Sequence, residues 1–99
     1  MSTGLLERMA VSIDRDWLVA QIDAIESLSF RERITAGKCL GRFDRTSWST
    51  EEVAFLGGGS LDRVKEIATV ALDHCVRQAP NESVRAELNR IGNWLFPTE

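Results

Sequence analysis

The sequence predicts an all-α protein, a compact single-domain bundle of five to six short helices over residues 1–99. Three observations carry that expectation. Polar caps precede apolar runs, twice in the Ser-x-x-Glu form of a capping box, at Ser29 with Glu32 and at Ser49 with Glu52. Apolar residues recur every three or four positions, most regularly at Val84, Leu88, Ile91 and Leu95. The runs end at glycine or proline, namely Gly41, the triplet Gly57-Gly58-Gly59, Pro80 and Pro97.

Leu5, Leu6, Met9 and Ile13 predict a short first helix. Asp14 or Ser12 then caps a second, whose buried stripe is Leu18, Ile22 and Ile25 and whose Asp14 and Asp16 complement the positive helix end. The Ser29–Glu32 box opens a third helix with Phe30, Ile34 and Leu40 facing inward, weakened at Gly37 and stopped at Gly41. Residues 42–47 have no apolar period and read as a loop, anchored by Phe43 and Trp48. The Ser49–Glu52 box opens a short fourth helix over residues 50–56. Beyond the glycine corner, Ser60 caps a central helix over residues 61–78, with Leu61, Val64, Ala68, Ala71 and Cys75 on one face and Ile67 and Val70 widening it. Asn81 caps the last helix, which Pro97 stops. No segment requires a strand.

Ninety-nine residues suffice for one hydrophobic core, and the 43% apolar and 27% charged shares are those of ordinary globular chains. No stretch reaches the roughly 18 apolar residues of a membrane span. The charged start carries no secretion signal, which predicts a cytoplasmic protein without membrane association. Cys39 and Cys75 read as reduced core thiols, because metal-site spacing is lacking. His74 beside Cys75 diverges from it by about 100° on a helix, too far to activate the thiol. Glu51 and Glu52 are likewise adjacent and diverge, so they read as first-turn dipole partners. The expectation is a protein that is not an enzyme, with no catalytic residues, no metal ligands and no cofactor.

The net charge of −3 is unevenly divided, with residues 1–28, 29–48 and 49–99 carrying −3, +3 and −3. Asp14, Asp16, Asp23, Glu26, Glu51 and Glu52 can meet a cationic partner surface, whereas Arg31, Arg33, Lys38, Arg42 and Arg45 can meet phosphates. Near the end, Asn93-Trp94-Leu95-Phe96-Pro97 places large apolar side chains on consecutive positions that cannot all face one core. Trp94 and Phe96 therefore join the acidic residues as candidate partner-binding groups.

Around the corner, Ala54, Gly58, Val64 and Ile67 resemble the pattern of helix-turn-helix DNA-binding domains, an alanine in the first helix, a glycine four residues on and aliphatics in the second helix. The resemblance covers residues 50–69 and departs from the family at Gly57 and Gly59, which stand where aliphatic residues usually flank the turn. It implies a DNA-binding alternative that uses Arg63 and Lys65 with the basic residues of the middle segment. The implied recognition surface also carries Asp62 and Glu66, and acids oppose the phosphate attraction on which duplex binding depends. A phosphate cradle at the glycines lacks the preceding strand and the lysine that would complete it.

The function expected from these features is that of a small acidic protein–protein interaction module. In its sharpest form it is an inhibitor covering a basic nucleic-acid-binding surface of a larger complex, as proteins of phages and mobile elements do; in its plainest form it is a subunit or adaptor of a homo-oligomer.

Overall fold

A computed structural model of the chain describes residues 8–97 and places most of them in helices. The first departure from expectation is at the start. Arg8–Ala10 forms a strand, β1, paired antiparallel with a second strand, β2, at Thr46–Trp48, in the register Arg8 to Trp48, Met9 to Ser47 and Ala10 to Thr46. The expected first helix is thus absent over its described part, while Leu5 and Leu6 lie outside the described residues. The loop expected over residues 42–47 runs into β2, so the reading that no strand is needed is also corrected. Strands of three residues are too short to display a two-residue period, and what fixes them is remote in sequence. The Arg8 guanidinium lies 3.8 Å from the Trp48 ring centroid, and the Ser47 hydroxyl donates to the Cys39 carbonyl at 2.5 Å.

The described residues form five α-helices, α1 (Arg15–Asp23) and α2 (Phe30–Leu40) between the two strands and α3 (Thr50–Val53), α4 (Leu61–Gln78) and α5 (Glu82–Leu95) after β2. Each cap does what the sequence requires. Asp14 accepts from the Trp17 amide, Ser60 from Arg63 and Asn81 from Val84. At Ser29 and Glu32 both halves of the capping box are made. At Ser49 only one half is made, since Ser49 accepts from the Glu52 amide but the Glu52 carboxylate turns instead to Arg8.

Gly37 does not stop α2, which continues to a left-handed Gly41 at φ 89°. Gly41 also admits Val11, because a Cβ built there would lie 2.9 Å from Val11 Cγ2. α3 opens into a wider π-type turn over Ala54–Gly58, and the chain reverses through Gly57 at φ 96° and Gly59 at φ 113°. Both values fall where a side chain is strained, so the glycines are required by backbone geometry.

α4 is the central helix and packs on α1, α2, α3 and α5. Its Val64, Ile67, Ala68, Ala71 and Cys75 are buried with Leu18 and Ile22 of α1, Ala36, Cys39 and Leu40 of α2, and Leu88, Ile91 and Leu95 of α5. Five residues expected to face the core lie outside this cluster: Phe30 is 76% exposed, Phe43 and Val70 face solvent, and Ile34 and Leu61 are half-buried away from it. Trp17, Trp48 and Trp94 are half-buried against it. No helix among the described residues is long and apolar enough to cross a membrane.

Candidate binding surface

Beside its core-facing stripe α4 carries Thr69, Leu72 and Val76 at helical spacing, with Leu72 and Val76 half-buried against the edge of the core and Thr69 exposed. Their neighbour is the last turn of α5, where Gly92 lets Leu72 approach; a Cβ there would sit 2.8 Å from Leu72 Cδ2. Three adjoining depressions follow this line, all sharing Phe96. One of about 340 Å³ joins Ser49, Thr50 and Glu51 of the α3 start to Lys65, Trp94 and Phe96. The next continues past Asp62, Glu66, Thr69 and Val70, and the last reaches Leu72, Asp73, Val76 and Asn89. From residue 62 to residue 76 the helix rises about 21 Å.

The electrostatics of this groove are acidic. Glu51, Asp62, Glu66 and Asp73 outnumber Arg63 and Lys65 along it. Arg63 is moreover committed, pairing with Glu32 of α2 and with Glu66 at 2.6 Å. Hydrogen bonds from the Ser29 amide and then from Arg63 hold the Glu32 carboxyl below its ordinary range.

Of the residues singled out from sequence for partner binding, the fold therefore brings Glu51, Trp94 and Phe96 together. It leaves Asp14, Asp16, Asp23 and Glu26 along α1 and just beyond it, exposed but lining none of these three depressions. Asp23 lies 3.7 Å from Arg42. Glu52 does not belong with them: it is 4% exposed and held by Arg8 at 2.5 Å and 3.2 Å, so no partner can reach it.

The basic residues of the middle segment disperse. Arg33 donates twice to the Ile25 carbonyl, Arg42 lies 5.2 Å from the Phe43 ring centroid, and Arg45, at φ 62°, is exposed beside β2. Arg31 and Lys38 share a separate cleft with Arg63, on the other side of the glycine corner.

Sequence reasoning missed two features. The first is the lock on the ribbon, in which Arg8 also reaches Asp44 at 3.3 Å while the Trp48 indole donates to Asp44 at 3.2 Å. Burial works against the Asp44 charge, but hydrogen bonds from the Thr46 hydroxyl, the Thr46 amide and Trp48 outweigh it and hold the carboxyl below its ordinary range. The second is this flanking stripe of α4, whose signal was present in the unusual width of that helix's apolar surface.

Both cysteines are buried, and desolvation pushes their thiols up to about 12. Such thiols are not nucleophiles near neutral pH. No cluster of three or more histidine, cysteine or acidic side chains among the described residues could hold a metal ion. Comparison with models of protein families, with curated proteins and with solved structures yields no match.

Proposed function

We propose that this chain is a small, non-enzymatic protein–protein interaction module that receives a basic partner on the α4–α5 groove. The observation that carries the reading is the convergence of Glu51, Trp94 and Phe96 on one depression that opens onto the apolar, acid-rimmed face of α4. Half-buried aromatics at the centre of a patch supply anchors whose removal speeds dissociation, and rim carboxylates steer encounter with a cationic surface. Asp14, Asp16, Asp23 and Glu26 extend the acidic field along α1. The sharper form of the proposal is an inhibitor that masks a nucleic-acid-binding surface of a larger complex, acting in the cytoplasm.

Affinity purification from the native host, followed by mass spectrometry, tests it. A protein with a basic surface should be recovered by the native sequence and lost with Phe96→Ser. Recovery that is the same for both would refute the groove as the site. The helix-turn-helix alternative over residues 50–69 keeps its corner geometry, but Arg63 is engaged by two carboxylates and Lys65 lies among acids, which argues against duplex binding. A homo-oligomer would use the same groove, and sedimentation of the purified protein would reveal it.

A further inference from the structure

Across the glycine corner from the acidic groove lies a cleft of opposite character. It measures about 400 Å³, in the range of ligand-binding clefts. One wall is the exposed ridge of α2, with Ser29, Arg31, Ile34 and Lys38; the other is the corner itself, with Gly57 and Gly59, and Arg63 closes it. Arg31 and Lys38 stand two helical turns apart on one face, about 10 Å along the axis. Among the described residues neither of them forms an ion pair, whereas Arg63 and Glu32 neutralise each other. Lys38 places its Nζ 5.6 Å from the Trp48 ring centroid, so the cleft presents Arg31 without a charged partner and Lys38 with an aromatic neighbour but no carboxylate.

Exposed apolar side chains stand next in the chain to lining residues of both walls, without themselves lining the cleft. Phe30, between the lining residues Ser29 and Arg31, is 76% exposed; Phe55 and Leu56, immediately before Gly57, are 76% and 51% exposed. They are the three most exposed large apolar side chains among the described residues. The capping box fixes the backbone at Phe30, and the left-handed Gly57 and Gly59 set the course of the chain just after Phe55 and Leu56. An aromatic side chain has only two rotatable side-chain bonds to order on binding, which favours it as an anchor.

We propose that this cleft is a docking site for an acidic, apolar-containing peptide segment of a partner protein, with Arg31 and Lys38 meeting its carboxylates and Phe30, Phe55 and Leu56 covering its apolar side chains. Charge complementarity selects the occupant. A nucleic acid offers anions too, but a long polyanion must run on past Asp62 and Glu66, which flank Arg63 on α4, against a net charge of −3. Those acids lie within one or two Debye lengths of about 8 Å, so the repulsion is felt at physiological salt. A short peptide confines its charge to the cleft. The proposal is independent of the α4–α5 reading, since Arg31, Lys38, Phe30 and Phe55 line none of that groove.

The test uses fluorescence anisotropy with a short fluorescein-labelled peptide of glutamate, leucine and phenylalanine, its counterpart with lysine for glutamate, and a single-stranded oligonucleotide of matched charge. The acidic peptide should bind in a salt-sensitive way and the lysine peptide should not. Arg31→Glu and, separately, Phe55→Ser should each weaken binding by about tenfold, the scale of one charge-assisted or anchoring contact. Both residues are exposed, and circular dichroism should show both variants folded. Arg85→Glu, the same charge change on α5, should have little effect. No binding of the acidic peptide, binding that Arg31→Glu leaves unchanged, or tighter binding of the oligonucleotide would each overturn the proposal. So would salt-sensitive self-association abolished by Arg31→Glu, which would assign the cleft to a second copy of the chain.

Discussion

Replacing Gly41 by alanine should be among the most damaging single-methyl changes in this protein. Gly41 ends α2 at φ 89°, a conformation that costs an L-residue about 1–2 kcal/mol. The added Cβ would also lie 2.9, 3.0 and 3.3 Å from three carbons of Val11, closer than packed atoms tolerate, and forcing such a contact costs about 1–3 kcal/mol. Val11 cannot simply retreat, because it is buried and its amide donates to the Arg45 carbonyl at 2.9 Å. Together the two terms amount to about 2–5 kcal/mol, a large part of the total stability of a domain this size. At about 4–8 °C per kcal/mol, the midpoint of thermal unfolding should fall by about 8–40 °C. Gly57→Ala supplies the control, since Gly57 has a similar φ of 96° but nothing within 4 Å of the built Cβ, so it should lose only the conformational part. Urea and thermal denaturation followed by circular dichroism measure both. Val11→Ala in the Gly41→Ala background should recover part of the packing loss. If Gly41→Ala is no worse than Gly57→Ala, Val11 is not packed on the end of α2 as described.

Three further outcomes follow from the same geometry. Arg8→Ala should destabilise the fold and shift Trp48 fluorescence, because it strands the buried Glu52 carboxylate and uncovers the indole; Glu52→Gln in that background should restore part of the stability, as an amide needs no counter-charge. Glu32, Asp44 and Glu87 are all held below the ordinary carboxyl range, Glu87 chiefly by Arg90 against its own burial. A depressed carboxyl stabilises the folded state above the unfolded value and loses that contribution as pH falls through the folded one. Urea midpoints should accordingly hold near neutrality and decline below roughly pH 4, and a rise on acidification would contradict the ion pairing. Cys39 and Cys75 should resist a thiol reagent in the native state and react at once in denaturant; fast native labelling would contradict their burial.

The helices were legible in the sequence because their determinants are local. Asp14, Ser29, Ser49, Ser60 and Asn81 each cap a helix through an amide three residues away, and Gly41 stops one through its own dihedral. The ribbon was not legible, since Arg8 and Trp48 are forty positions apart and neither strand exceeds three residues. The same distance explains Glu52: spacing alone assigns its carboxylate to Ser49, but a guanidinium across the fold competes more strongly than one backbone amide. For the candidate surface, Glu51, Trp94 and Phe96 could be named from charge and crowding. That they meet depends on how α5 crosses α4 beside the start of α3, and tertiary packing alone decides it.

The most direct test of the groove is hydroxyl-radical footprinting of the purified protein with and without the partner recovered from its host. The account predicts that Val70, Leu72, Val76, Trp94 and Phe96 lose reactivity in the complex. Protection confined to α1 or to Phe30, Phe55 and Leu56, with the α4–α5 side chains as reactive as in the free protein, would contradict it.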